Sequence, residues 1–139
     1  FLGDLTVFDA KMQAKMAEIE KNSRDNTGLT LNLAVNYGGR SELTSAARQL
    51  ALDAAAGKIR PEEITEQMLA DRLYTKGEPD VDLIIRPSGE YRLSNFLIWQ
   101  SAYAEYVFMD EILWPDFKPA DLDRALEEYQ CRNRRFGGV

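Results

Sequence analysis

The chain has 139 residues, with 17 lysines and arginines against 23 aspartates and glutamates, a formal charge of −6, no histidine and 45% apolar residues; this is the composition of one ordinary globular domain. Its longest apolar runs, Phe96 to Trp99 and Tyr106 to Met109, reach four residues, far short of the ~18 that cross a bilayer. One cysteine, Cys131, makes no internal disulfide, and the lack of histidine excludes His-bearing zinc sites, Ser-His-Asp triads and imidazole acid–base chemistry.

Phe1 opens the chain without a methionine and without the charged and long apolar regions of a signal peptide, so a cut start is expected. Phe8, Met12, Met16 and Ile19 repeat at helical spacing behind the capping-box pattern Thr6-Val7-Phe8-Asp9, predicting a helix to about Ser23. Leu29, Leu31, Leu33 and Val35 alternate with Thr30, Asn32 and Ala34 as in a strand covered on both sides. After the turn Asn36-Tyr37-Gly38-Gly39, the stripe Leu43, Ala47, Leu50 and Ala54 marks a helix that Gly57 closes in a left-handed conformation. A short helix is expected after Pro61, carrying Ile64, Met68, Leu69 and Leu73. Val81 to Ile85, between Gly77 and Pro79 on one side and Pro87 and Gly89 on the other, reads as a buried strand. Ser94 or Asn95 then caps a short helix through Trp99 and Gln100, Ala104 to Met109 forms another strand, and Leu122, Ala125, Leu126 and Tyr129 give a last helix behind Pro119. Strands interleaved with helices predict an α/β fold, a parallel sheet with helices on both faces. No repeat or linker divides it, and Phe1-Leu2 would leave a raw sheet edge.

Charge is concentrated. From Glu105 to Glu128 eight acids face only Lys118 and Arg124, a net −6 that accounts for the whole charge of the chain. A solvated helix face with loops explains it, and without a basic stripe nucleic acid is not an expected partner. Arg132, Arg134 and Arg135 form the opposite pole, suited to an anion or to the C-terminal end of a helix dipole.

Ligands of open parallel sheets bind beyond the carboxyl ends of the strands, where two stretches fall. In Asn36-Tyr37-Gly38-Gly39-Arg40, glycines and a helix start suit either an anion or simply a tight strand-to-helix turn. In Arg86-Pro87-Ser88-Gly89-Glu90-Tyr91-Arg92-Leu93-Ser94-Asn95, two arginines bracket a turn followed by a hydroxyl and an amide, a donor set suited to phosphate or diphosphate. The plainer alternative pairs Arg86 with Glu90 and leaves Ser94 as a cap. Glu105, eleven residues past Ser94, is a hard oxygen ligand of the kind Mg2+ accepts beside a diphosphate, or else a surface glutamate. Tyr91, Phe96, Trp99, Tyr103, Tyr106, Phe108, Trp114 and Phe117 crowd into the same third of the chain, as core or as the walls of an apolar cleft.

The run from Asp82 through Arg86-Pro-Ser-Gly-Glu90-Tyr-Arg92-Leu93-Ser94-Asn95 to Gln100, continued by Tyr103-Ala-Glu105, Leu113-Trp114-Pro115-Asp116-Phe117 and Arg134-Arg135-Phe136-Gly137-Gly138, resembles the cis-prenyltransferase family, its bacterial undecaprenyl diphosphate synthases most closely. Asn26-Thr27-Gly28-Leu29-Thr30-Leu31-Asn32 and Asn36-Tyr37-Gly38-Gly39-Arg40 fit the same family, so five ordered motifs span essentially the whole chain. The resemblance implies repeated condensation of isopentenyl diphosphate onto an allylic diphosphate, usually farnesyl diphosphate. It implies that Arg86, Arg92, Leu93 and Ser94 bind isopentenyl diphosphate and that Glu105 helps hold Mg2+. Arg135, Phe136, Gly137 and Gly138 would form a tail reaching a partner's site across a homodimer, and Leu29 would sit at the floor of the product tunnel.

The resemblance covers only the C-terminal part of a single cis-prenyltransferase domain. The family's Asp-Gly-Asn-Gly-Arg-Trp loop, with its essential aspartate, has no counterpart in residues 1–139, so no catalytic residue is assigned and this stretch alone is expected to be inactive. Tyr91 stands where many bacterial members have histidine, and Pro87-Ser88 replaces the commoner Thr-Gly; diphosphate binding should survive both. A cytoplasmic location follows, with peripheral association at the inner membrane face where the product is delivered. A non-catalytic partner subunit of a two-subunit prenyltransferase is the competing reading, less economical because Arg86, Arg92, Ser94 and Glu105 are all retained; an unrelated phosphate-binding α/β module is a third.

Overall fold

The computed structural model describes residues 1–132, in two compact units, Phe1–Glu78 and the residues from Pro79 onward. In the first unit Asp9 accepts the Met12 amide at 2.8 Å and starts α1, Ala10–Ser23. The cap is therefore Asp9 and not Thr6. Thr6 lies in a 3-10 turn over Leu5–Val7, where its hydroxyl donates to Asp4 at 2.6 Å and so is not available as a helix cap.

Residues 29–35 keep the alternating pattern but not the ladder. The Leu2 amide donates to the Leu33 carbonyl and the Val35 amide to the Leu2 carbonyl, both at 2.9 Å, which makes a single parallel bridge between Leu2 and Ala34. A strand needs a partner along its length. Among the described residues only Leu2 supplies one, so the expected strand shrinks to a bridge and Leu31 stands 73% exposed. Gly3 permits this approach: at φ +130° it has a conformation that side chains disfavour, and a Cβ there would lie 2.0 Å from the Val35 carbonyl oxygen.

Helix α2, Gly39–Ala55, ends as its sequence predicts. Gly57 at φ +70° donates to the Ala54 carbonyl and Lys58 to that of Asp53, the two bonds of a Schellman closure. The buried face is Gly39, Glu42, Ala46 and Leu50, turned about one residue from the predicted stripe and leaving Ala47 exposed. The cause is Glu42, which is only 1% exposed. One of its carboxylate oxygens accepts the Tyr74 amide at 2.7 Å and the other the Tyr37 hydroxyl at 2.5 Å, so the charge is held inside by donors. The helix expected after Pro61 is split into a 3-10 turn, Pro61–Glu63, and α3, Glu66–Ala70, because Thr65 caps a fresh helix by accepting the Met68 amide at 3.2 Å.

The second unit holds a parallel pair, β1 (Leu83–Pro87) and β2 (Glu105–Met109), with Ile85 opposite Val107 and Arg86 opposite Phe108. The α/β class and the parallel sheet are as expected. β1 begins two residues later than predicted, because the Val81 amide bonds to the Gln100 carbonyl and not to β2. Helix α4, Pro119–Gln130, lays Ala125 against Val107 and Met109, with Leu83, Ile85, Ile112 and Phe117 packed around them. The helix expected from Ser94 to Gln100 is a chain of turns: Ser94, Asn95 and Leu97 have φ of +50°, +66° and +46°, which interrupts any helical ladder.

Replacing Glu42 by leucine should lower the unfolding free energy by about 2–4 kcal/mol, since the Tyr74 amide and Tyr37 hydroxyl lose their acceptors inside the fold. Urea denaturation should show a smaller loss for Glu42→Gln, whose amide oxygen still accepts one of them.

Candidate functional site

Side chains alternate between the two faces of a strand, and this separates two sets of residues. Leu83, Ile85, Val107 and Met109 belong to the core under α4. Ile84, Arg86, Tyr106 and Phe108 belong to the opposite face, where Tyr106 and Phe108 stack with centroids 6.0 Å apart.

The loop after β1 folds back over that second face. The Ser88 amide bonds to the Ile112 carbonyl at 2.7 Å and the Gly89 amide to that of Met109 at 3.1 Å. Gly89 has φ +65°, and a Cβ on it would come within 3.2 Å of the Asp110 carbonyl, so the loop is pinned where only glycine fits comfortably. Positive φ outside glycine falls mainly in the two loops singled out by sequence, with Leu97 just past the second. Among the described residues the non-glycines with positive φ are Asn36, Ser88, Ser94, Asn95 and Leu97. Such residues cost roughly 1–3 kcal/mol each and mark positions that surrounding structure holds for a purpose.

Arg86, Arg92 and Ser94 are brought together. The Arg86 guanidinium donates to the Arg92 carbonyl and, at 3.1 Å, to the Ser94 hydroxyl. Glu90 lies between the arginines, one carboxylate oxygen paired with Arg86 and the other with Arg92. The expected alternative pairing of Arg86 with Glu90 is thus present, yet Ser94 caps no helix; it is a polar partner of Arg86. Arg86, Arg92, Leu93 and Ser94 also line a cavity of about 350 Å3 whose other walls include Ile84, Phe96, Tyr106, Phe108 and Trp114.

Tyr91 leans on Phe108, with centroids 5.0 Å apart, and donates its hydroxyl to Asp110. That bond to a carboxylate stabilises the neutral phenol and raises its pKa above the ordinary value. Glu105 is placed differently from the arginines. It opens β2 opposite Leu83, on the alternation shared with Val107 and Met109, and accepts from Arg132 at 3.1 Å while Arg132 also pairs with Glu128. The two carboxylates raise the Arg132 pKa, Glu105 first. No group of three acidic or cysteine side chains gathers among the described residues. Glu105 thus offers a divalent ion at most one carboxylate, and that carboxylate is engaged by Arg132.

In the first unit the left-handed residue of the second loop is Asn36, at φ +46°, and not a glycine; Gly38 is extended and Gly39 begins α2. Arg40, Ser41, Thr44, Ser45 and Arg48 line a polar basin beside it. Leu29 is 93% exposed, bordering a shallow cavity with Ile19, Leu31 and Leu33. Arg135, Phe136, Gly137 and Gly138 lie outside the described residues. Glu42 escaped the sequence reading because an acid in a first helical turn ordinarily faces water near the helix dipole; its signal was its place between Gly39, Ala46 and Leu50. Glu90 was read only as a neighbour for Arg86, whereas it bridges both arginines.

Fold and site together define an α/β protein with an arginine-bordered, aromatic-walled cavity on one face of a parallel strand pair. A family model described as "Putative undecaprenyl diphosphate synthase" matches residues 1–137, and the chain belongs to that prenyltransferase family. It is 50% identical over 138 residues to an isoprenyl transferase of Clostridium perfringens, covering 99% of this chain and 54% of the relative. It is also 50% identical over 138 residues to the farnesyl-diphosphate-specific ditrans,polycis-undecaprenyl-diphosphate synthase of Pasteurella multocida, covering 99% of this chain and 57% of that protein. Among solved structures, lavandulyl diphosphate synthase from Lavandula x intermedia, in complex with dimethylallyl diphosphate, superposes with a TM-score of 0.93 at 40% identity, covering 99% of this chain and 58% of that one. A probable undecaprenyl diphosphate synthase from Campylobacter jejuni gives 0.82 at 34% identity, covering 99% and 61%. The chain spans about half the length of the curated relatives it matches. Among its described residues no helix is long and apolar enough to cross a membrane.

The Tyr91 hydroxyl should ionise late in a titration followed by ultraviolet absorbance. Its bond to Asp110 is complete below the ordinary tyrosine range and is lost as pH rises through the elevated value. Tyr91→Phe should remove one late step, and Asp110→Asn should bring that step back toward the usual pH.

Proposed function

We propose that the protein is a cis-prenyltransferase that condenses isopentenyl diphosphate with an allylic diphosphate, farnesyl diphosphate, to make a long polyprenyl diphosphate of the undecaprenyl class, the lipid carrier used in building cell walls. The observation that carries this reading is one cavity with two chemistries: Arg86, Arg92 and Ser94 beside Ile84, Phe96, Tyr106, Phe108 and Trp114. A ligand matching it has an anionic head and a hydrocarbon body, and its dimensions suit a small amphiphile.

In this reading the two guanidinium forks grip the diphosphate of isopentenyl diphosphate, and the Ser94 hydroxyl adds a donor. Leu93 and the aromatic wall hold the five-carbon end and exclude water from it. Arg86 is set in advance by its bonds to the Arg92 carbonyl and Ser94, so the Arg86 side chain itself need move little on binding. The new carbon–carbon bond forms at the terminal methylene of isopentenyl diphosphate as the allylic carbon–oxygen bond breaks; inorganic pyrophosphate leaves from the allylic substrate, and a proton is lost from the isopentenyl unit as its new double bond forms. The family generally needs a divalent metal; Mg2+ is proposed here, with Glu105 as one ligand once it is released from Arg132, and such an ion would supply neutralisation of diphosphate charge on the allylic side and not at the Arg86–Arg92 cavity. The allylic diphosphate and the essential aspartate are assigned to the portion of the relatives' length beyond this chain, which is proposed as the C-terminal part of the same domain.

Leu29, exposed with Leu31 and Leu33, is proposed as the floor of the product tunnel. Arg135 to Gly138 are proposed as the tail that completes a homodimeric partner's site, in a cytoplasmic enzyme whose product passes to the inner membrane face. A non-catalytic partner subunit would have no need of the assembled Arg86, Arg92 and Ser94.

The test is incorporation of labelled isopentenyl diphosphate with farnesyl diphosphate and Mg2+ by the full-length protein. Arg92→Ala should raise the KM for isopentenyl diphosphate by about 10- to 100-fold, the effect of losing one charge-assisted bond. An unchanged KM would remove Arg92 from the assigned role, and absence of long-chain product from the unaltered protein would refute the activity.

A further inference from the structure

We propose that Glu90 is a resident anion in the diphosphate position, a carboxylate that the arriving diphosphate displaces from Arg86 and Arg92. This inference rests on the reading of those arginines as the diphosphate grip. The geometry points to it directly, because each oxygen of Glu90 engages a different guanidinium, the same division of contacts that two oxygens of a diphosphate would make. Glu90 is four residues from Arg86 and two from Arg92, so it is a tethered competitor present at high effective concentration.

Displacement needs only a side-chain movement. The loop backbone is held without Glu90, through the bonds of Ser88 to Ile112 and of Gly89 to Met109. Arg86 keeps its bonds to the Arg92 carbonyl and Ser94 when Glu90 leaves. The Glu90 side chain is 39% exposed, so its freed carboxylate turns into water without burying a charge. Before displacement the two positive side chains are screened from each other and loosely bound anions are kept off. A diphosphate overcomes the pairing because it offers more oxygens and more charge to both forks than one carboxylate does.

The experiment is isothermal titration of the protein with pyrophosphate, alongside steady-state kinetics with isopentenyl diphosphate, for the unaltered protein and for Glu90→Gln, Glu90→Ala and Arg92→Ala, with circular dichroism checking that each folds. Removing the competitor should tighten pyrophosphate binding about fivefold in both Glu90 variants, as two partly exposed ion pairs are released. The KM for isopentenyl diphosphate should fall by a similar factor, while Arg92→Ala weakens binding. Unchanged or weaker binding in the Glu90 variants, with Arg92→Ala still weakened, would overturn the proposal alone and make Glu90 a residue that orients the arginines. If Arg92→Ala binds pyrophosphate as the unaltered protein does, the site reading fails and the proposal with it.

Discussion

The parallel register of β1 and β2 is the constraint on which the second unit depends. With Ile85 opposite Val107 and Arg86 opposite Phe108, one face of the pair meets Ala125 of α4 and the other carries an arginine among aromatics. A slip of β1 by one residue against β2 would turn Arg86 toward α4 and Ile85 outward while Val107 stayed in the core. Hydrophobic burial on the α4 side therefore fixes the chemistry on the other, and five residues of each strand serve both purposes. Neighbouring positions in β1 and β2 answer to different demands, packing at one and the cavity at the next.

The loop from Arg86 to Asn95 translates this strand geometry into a site. Ser88, Ser94 and Asn95 adopt left-handed conformations, and the first part of the loop is fastened by Ser88 and Gly89 to Ile112 and to Met109, the last residue of β2. Strain held by hydrogen bonds in this way keeps two arginines close together where mutual repulsion would part them. Glu90 supplies the remaining compensation, and Tyr91 secures the outer side of the loop through Asp110.

Much of this was legible in the sequence, and the failures have physical causes. Helices α1, α2 and α4 follow from apolar spacing and from Gly57 and Pro119, signals contained within each segment. Residues 29–35 were misread because alternation reports a segment suited to a sheet, not whether a partner lies beside it. The turns from Ser94 to Gln100 were misread because Ser94 and Asn95 are good helix caps, and nothing local announces that both will be left-handed. For the site, the composition of the loop showed that two arginines and a hydroxyl would converge. It did not show that Glu90 would bridge them, nor that strand alternation would give Glu105 to Arg132 on the α4 side.

The placement of charge has a consequence for the speed of encounter. The chain carries a net −6, and one carboxylate offsets half the charge of its arginine pair, so an anion approaching from solution meets little attraction beyond about one Debye length. Capture by this face is then governed by collision and short-range exchange, not by long-range steering. Raising the salt concentration should leave the association rate for anionic ligands nearly unchanged, in contrast to sites that draw such ligands in across an open positive field.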